Sequence, residues 1–266
     1  MEKKDTVRKD NEETESNVEA EGNEVNETDI LKGFKKFVVN LKRRPDRLKT
    51  FKAQCPIDDV EVIYACDGKQ LAELKSSRKA MKCWKENKLF KSMKFRYENI
   101  KKHAGASGCF FSHYRIMKRI VKENIPKAII FEDDAIFSES FLNNFKASLS
   151  ELPSDFHILY FGGRFNSDYS TNKKSKYKII SKHITQSLMP YTSEHDRGTF
   201  GYVISLKGAQ LICKNIDYVI NIETNKIYYP LDHWLFRIWS WHDIKIYNTH
   251  PLLCHSPCDA PDSDIG

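Results

Sequence analysis

Three consecutive carboxylates, Glu132-Asp133-Asp134, follow directly on the apolar run Ala128-Ile129-Ile130-Phe131. Adjacent anions repel one another unless a cation compensates, and a hard divalent cation, Mn²⁺ or Mg²⁺, prefers oxygen ligands. Alternation along an extended chain sends Glu132 and Asp134 to one side and Asp133 to the other. One pair is then placed to share a metal while the third carboxylate serves a backbone group or a hydroxyl. The same triplet also fits an acidic turn that caps the next element. Arg43, Arg44 and Arg47 offer planar forks suited to phosphate oxygens, although each also fits a plain surface charge. There is no G-x-x-x-x-G-K-[ST] loop and no G-x-G-x-x-G turn. A diphosphate would have to be held by metal and arginine.

These groups need elements to position them. Phe37-Val38-Val39-Asn40-Leu41 reads as a strand running into a polar loop, with Pro45 near the first turn of a following helix. Val60 to Ala65 alternates as a second strand and stops at the turn signal Asp67-Gly68. After Gly105-Ala106-Ser107-Gly108-Cys109 comes a helical face of Phe110, Tyr114, Met117 and Val121, ended by Asn124 and Pro126. Residues 127–131, His157 to Phe161 and Thr199 to Ile204 read as further strands. Ser205 is placed to cap a helix from Lys207 to about Lys214. A last helix begins near Pro230-Leu231-Asp232, and Ile244 to Tyr247 is the closing strand. Residues 166–198 lack pattern and read as a long loop or lid. Strands alternating with helices predict an α/β fold with a mainly parallel sheet. In such sheets ligands sit beyond the carboxyl ends of the strands, where the polar clusters fall.

The chain has 266 residues, 40% hydrophobic and 12% aromatic, with net charge +7. That mix excludes wholesale disorder. The charge is uneven: residues 1–32 are acidic, nearly without large apolar groups, and read as a disordered tail before a basic body that would attract phosphorylated ligands. No apolar stretch is long enough for a spanning helix, and the start lacks a signal-peptide core. Seven cysteines without paired spacing suit reduced thiols. The expectation is a soluble, cytoplasmic protein with no membrane span.

The ordered set of motifs resembles glycosyltransferase family 25, which includes bacterial lipooligosaccharide galactosyltransferases and collagen galactosyltransferases. The matching pieces are Val38 to Leu41 with Arg43-Arg44-Pro45-Asp46-Arg47, Ala65-Cys66-Asp67-Gly68, and Gly105 through Ser112-His113. They continue with Ile129 to Ala135, Gly201 to Ser205 with Gly208-Ala209, Pro230-Leu231-Asp232, Pro251-Leu252-Leu253 and Ser263-Asp264-Ile265. The resemblance implies a GT-A-type, Rossmann-like nucleotide-sugar-binding fold in a single domain over residues 33–266. It implies a UDP-hexose donor, a Mn²⁺-like ion (or Mg²⁺) and inversion at the anomeric carbon. By the same resemblance, Glu132 and Asp134 look like metal ligands. Asn40, Leu41, Arg43, Arg44, Arg47 and Asp133 look like donor contacts, and Asp67 like a uridine or ribose partner. Ser112 and His113 stand where the family faces the nucleotide, although His113 also fits a structural hydrogen bonder. Asp232 is the candidate base for the acceptor hydroxyl, or else a helix cap. Cys254-His255-Ser256-Pro257-Cys258 departs from the family pattern. There His255 is a candidate to complete the metal shell, and a zinc site from Cys254, His255 and Cys258 lacks a fourth ligand.

The leading reading is an inverting, metal-dependent transferase moving galactose or glucose from a UDP-sugar to a protein hydroxyl, such as a collagen-like hydroxylysine, or to a glycan. Two other classes compete. Residues 69–102 carry twelve Lys/Arg and three Glu with interspersed aromatics, which reads as a solvated helical insertion whose aromatics pack inward. The composition also suits single-stranded nucleic acid, but nothing there resembles a nucleic-acid module and no nucleic-acid partner is expected. A catalytically silent, transferase-like binding module is the third reading, and the acidic motif argues against it.

Overall fold

The computed structural model describes residues 31–69, 104–162, 177–187, 198–222 and 244–256. Residues 1–30 of the acidic tail expected over 1–32, nearly all of the Lys-rich segment, the helix expected at Asp232 and Cys258 lie outside these residues.

Strands β1 (Lys35–Asn40), β2 (Glu61–Tyr64), β3 (Lys127–Glu132), β5 (Ile158–Tyr160), β6 (Tyr177–Ile179), β7 (Ile184–Ser187), β8 (Gly201–Ser205) and β9 (Ile246–Thr249) form one sheet. Its order is β2-β1-β3-β8-β5-β9-β7-β6. β1 pairs in parallel with β2 and β3, and β5 with β9, while β8 and β7 run against their neighbours. Most strands therefore share one direction. A small antiparallel pair, β4 (Ile136–Phe137) with β10 (Cys254–His255), stands beside the sheet.

The strands read as apolar runs because both faces are covered. Phe37, Val39, Ile130, Tyr160, Tyr202 and Ile204 join one buried cluster, and their neighbours Val38, Phe131, Leu159, Phe161 and Val203 join the other. This is the period of two expected of a strand buried on both sides. Helices α2 (Ala104–Lys122) and α4 (Leu206–Ile222) close the first face with Phe110, Met117, Ile212 and Ile216. Helices α1 (Pro45–Gln54) and α3 (Phe141–Glu151) close the second with Phe51, Phe141 and Phe145. The result is a three-layer α/β/α fold, with the mainly parallel sheet expected.

Local signals act as their chemistry requires. Pro45 opens α1. Asn124 ends α2 in the left-handed region (φ 51) that Asn tolerates at a helix end. The Ser205 hydroxyl accepts from the Gly208 N–H at 3.1 Å, the expected cap of α4.

Three expectations need correction. The 166–198 region is not all loop: β6 and β7 form a hairpin, and β7 extends the sheet by pairing with β9. α4 continues to Ile222, well past Lys214, because Cys213 and Ile216 keep its apolar face on the core. The strand expected at Ile244 to Tyr247 lies two residues later, at Ile246–Thr249, and β10 follows it. Among the described residues no helix is long and apolar enough to cross a membrane.

Candidate active site

The parallel strands β1, β2 and β3 end side by side, and a cleft opens at their carboxyl ends. Leu41, Arg43 and Arg47 wall it from the β1 side, Asp67 from the loop after β2, and Glu132, Asp133 and Asp134 from the end of β3.

β3 ends at Glu132, and the chain turns at once, with the Ala135 N–H bonding back to the Glu132 carbonyl at 3.2 Å. Strand alternation therefore does not extend across the triplet. Instead of pointing apart, Asp133 and Asp134 converge on one guanidinium: Arg47 lies 3.0 Å from Asp133 Oδ1 and 2.8 Å from Asp134 Oδ2. Asn40 donates to Asp133 Oδ2 at 2.6 Å and to the Arg44 carbonyl at 2.9 Å, which locks the β1 end to this turn.

Glu132 faces inward. Its Oε1 meets His113 Nε2 at 3.1 Å and accepts a short bond from the Thr199 hydroxyl. His113 is fully buried and uses its other nitrogen, Nδ1, on the Tyr202 hydroxyl at 2.9 Å. Burial opposes charge on Glu132, but the bonds from His113 and Thr199 hold its carboxyl below the usual range. Burial, with repulsion from Glu132, pushes Asp134 up, and burial raises Asp133 to about 6. Burial likewise keeps the Tyr202 hydroxyl protonated.

Asp134 also takes a side-chain hydrogen bond from Ser256. Its Oδ1 is buried and has no hydrogen-bond partner among the described residues. A desolvated carboxylate oxygen without a partner is costly unless a cation completes it. The donor set at this turn, crowded carboxylates, is the hard-oxygen chemistry that Mn²⁺ or Mg²⁺ takes. The residues therefore fit such an ion.

The remaining sequence candidates fall in different places. Arg43 Nε bonds Asp67 Oδ2 at 2.8 Å, so those two cleft residues support each other. Arg44 turns to Asp46 at 2.8 Å and is not part of the cleft wall. The Ser112 hydroxyl accepts from the Cys66 N–H at 2.8 Å and donates to the Gly108 carbonyl at 2.6 Å, which fixes the loop after β2 against α2. His255 is exposed on β10 opposite Ile136, and the structure gives it no bond to the carboxylates. Cys254 is buried, and burial raises its thiol strongly. Asp232 lies outside the described residues.

Sequence reasoning missed Cys109, Thr199, Tyr202 and Ser256. Cys109 had a signal, its i, i+4 spacing from His113 on one helix. Tyr202 and Thr199 had none, since only the antiparallel pairing of β3 with β8 brings Thr199 to Glu132 and Tyr202 to His113.

Comparison with known proteins follows the same stretch of chain. The family model described as glycosyltransferase family 25 (LPS biosynthesis protein) matches residues 34–234. Procollagen galactosyltransferase 2 of Homo sapiens is 27% identical over 234 residues, covering 82% of this chain and 34% of its own length. Procollagen galactosyltransferase 1-A of Xenopus laevis is 27% identical, with 80% and 32% covered. A glycosyltransferase 25 family member of Drosophila melanogaster is 27% identical, with 79% and 31% covered. The chain thus spans about a third of the length of these relatives. Among solved structures, the crystal structure of mouse xyloside xylosyltransferase 1 in its apo form matches with a TM-score of 0.37 and 12% identity, covering 79% of this chain and 69% of that one. The ordered motifs and the family match over residues 34–234 place this chain in glycosyltransferase family 25.

Proposed function

We propose that the chain is a metal-dependent glycosyltransferase that moves a hexose, galactose or glucose, from a UDP-sugar to a hydroxyl acceptor on a protein or a glycan. The observation that carries this reading is the buried Asp134 Oδ1 without a partner, beside Asp133 and Arg47 at the mouth of a strand-end cleft. A diphosphate and a divalent ion together satisfy what that arrangement lacks. Membership of the family supports a transferase, and the procollagen galactosyltransferase relatives favour galactose and a procollagen-like acceptor.

Asp134 would hold the ion, with His255 as a further candidate, while Glu132, the other carboxylate expected there, turns inward to His113 and Thr199. When bound, the ion neutralises charge on the departing diphosphate. Arg47 orients Asp133 and Asp134 and adds positive charge at the cleft mouth. Arg43 and Asp67 build the wall where the nucleoside would lie. Asp232 takes the proton of the acceptor hydroxyl as inversion proceeds in line.

Assaying UDP release from a panel of UDP-sugars, with and without Mn²⁺ and with collagen-like and glycan acceptors, tests the proposal. Mn²⁺-dependent release from UDP-galactose or UDP-glucose is expected. Indifference to every UDP-sugar would overturn it.

A further inference from the structure

The pocket beneath the acidic turn holds a second group of metal-ligating atoms. Cys109 and His113 are four residues apart on α2, so both side chains leave the same helix face. Glu132 meets them from the end of β3. One ligand atom from each, sulfur, nitrogen and oxygen, lies within 4.8 Å of the other two. Cys109 Sγ is 3.7 Å from Glu132 Oε1, and His113 Nε2 is 3.1 Å from the same oxygen. Zinc bonds of about 2.0–2.3 Å in tetrahedral geometry put ligand atoms about 3.3–3.8 Å apart, close to what is already present. A water can supply the fourth position, and the Thr199 hydroxyl, which already bonds Glu132 Oε1, is a hydrogen-bonding neighbour. All three ligand residues line the cleft, Cys109 and Glu132 half-buried and open to an incoming ion and His113 fully buried beside them.

We propose that Cys109, His113 and Glu132 form a site for a thiophilic divalent cation of the zinc type, separate from the hard-cation position at Asp134. Sulfur and imidazole select such an ion over Mn²⁺ or Mg²⁺. Binding deprotonates the Cys109 thiol and releases one proton. In the metal-bound form Nε2 of His113 binds through its lone pair and Nδ1 carries the ring hydrogen. The Tyr202 hydroxyl beside Nδ1 can donate or accept, so it supports both tautomers and orients the ring once the metal is in place. Of the other described cysteines, Cys55 and Cys254 compete poorly, since burial raises the thiol of Cys55 to about 11 and that of Cys254 further still.

Cobalt(II) is the probe for the test, because a thiolate ligand gives it a near-ultraviolet charge-transfer band. One equivalent of Co²⁺ should produce the band in the wild-type chain. The band should vanish in Cys109→Ser, persist in Asp134→Asn and be displaced by Zn²⁺. Tyr202→Phe should weaken Zn²⁺ binding by about 10–100-fold, the usual effect of losing an outer partner. Absence of the band, its survival in Cys109→Ser, or its loss in a folded Asp134→Asn would each overturn the proposal. X-ray absorption on the zinc-loaded wild-type chain needs no variant. One sulfur at about 2.3 Å with lighter nitrogen and oxygen neighbours is expected, and a shell of oxygen and nitrogen alone would refute the site.

Discussion

Asn40, the last residue of β1, donates its side-chain amide to Asp133 at 2.6 Å across 93 residues of chain. This bond, with the one from Asn40 to the Arg44 carbonyl, ties the arginine loop to the acidic turn. Both are buried or nearly so, and removing the amide leaves acceptors that water reaches poorly. Asn40→Ala should therefore cost about 1–3 kcal/mol of stability. Urea denaturation measures it, and an unchanged midpoint would show that Arg47 alone holds Asp133.

The loop after β2 touches α2 with no room to spare. A Cβ at Gly108 would lie 2.4 Å from the Cys66 carbonyl oxygen and 2.8 Å from the Gly68 nitrogen, both backbone atoms that cannot rotate away. Gly108→Ala should destabilise by about 1–3 kcal/mol, as overpacking does. At Gly33 the same atom meets nothing within 4 Å. Gly33→Ala should stay within about 0.5 kcal/mol of wild type. Similar melting temperatures for the two variants would contradict this packing.

Asp133 gives the cation-free protein a specific pH dependence. Burial is the main cause that raises it to about 6 from an ordinary value of 3.8, with repulsion from Asp134 and Glu132 added and with Arg47 and Asn40 opposing. Between those values the folded chain keeps a proton that the unfolded chain has lost. Its contribution to stability is therefore greatest at or below about pH 4 and declines as pH rises to about 6, then levels off. Asp133→Asn should remove this part of the slope. Unfolding midpoints at about pH 4 and about pH 7, compared between wild type and variant, check it; identical slopes would count against a raised Asp133.

Asp232→Asn separates three roles for the expected base. A base predicts a chemical step slower by about 10²–10⁴-fold, with UDP and Mn²⁺ affinity little changed. A helix cap predicts near-wild-type turnover, because Asn caps almost as well. A metal ligand predicts that Mn²⁺ affinity falls along with the rate. Turnover, Mn²⁺ affinity and melting temperature on this one variant distinguish them.

Much of the site's position was legible because strand ends announce themselves. Apolar runs 37–39 and 128–131 stop at polar clusters, and parallel pairing then brings Asn40, Asp67 and Glu132 to one edge. What could not be read was the direction of each carboxylate. Strand alternation stops at Glu132 and has no meaning for the two turn residues after it, so the convergence of Asp133 and Asp134 on Arg47 was invisible. The inward role of Glu132 depends on Thr199, more than sixty residues away, which reaches it only through the β3–β8 ladder. The β6–β7 hairpin escaped notice because its short strands, YKI and ITQS, interrupt a polar segment.

Asp134 at the acidic turn is placed to hold the divalent ion through which a nucleoside diphosphate would bind. Calorimetric titration of UDP into the wild-type chain and Asp134→Ala, each with and without Mn²⁺, tests it directly. Mn²⁺ should strengthen UDP binding to the wild type, and the variant should lose that enhancement while remaining folded. An equal Mn²⁺ enhancement in both proteins, or no UDP binding by the wild type with Mn²⁺ present, would contradict the account.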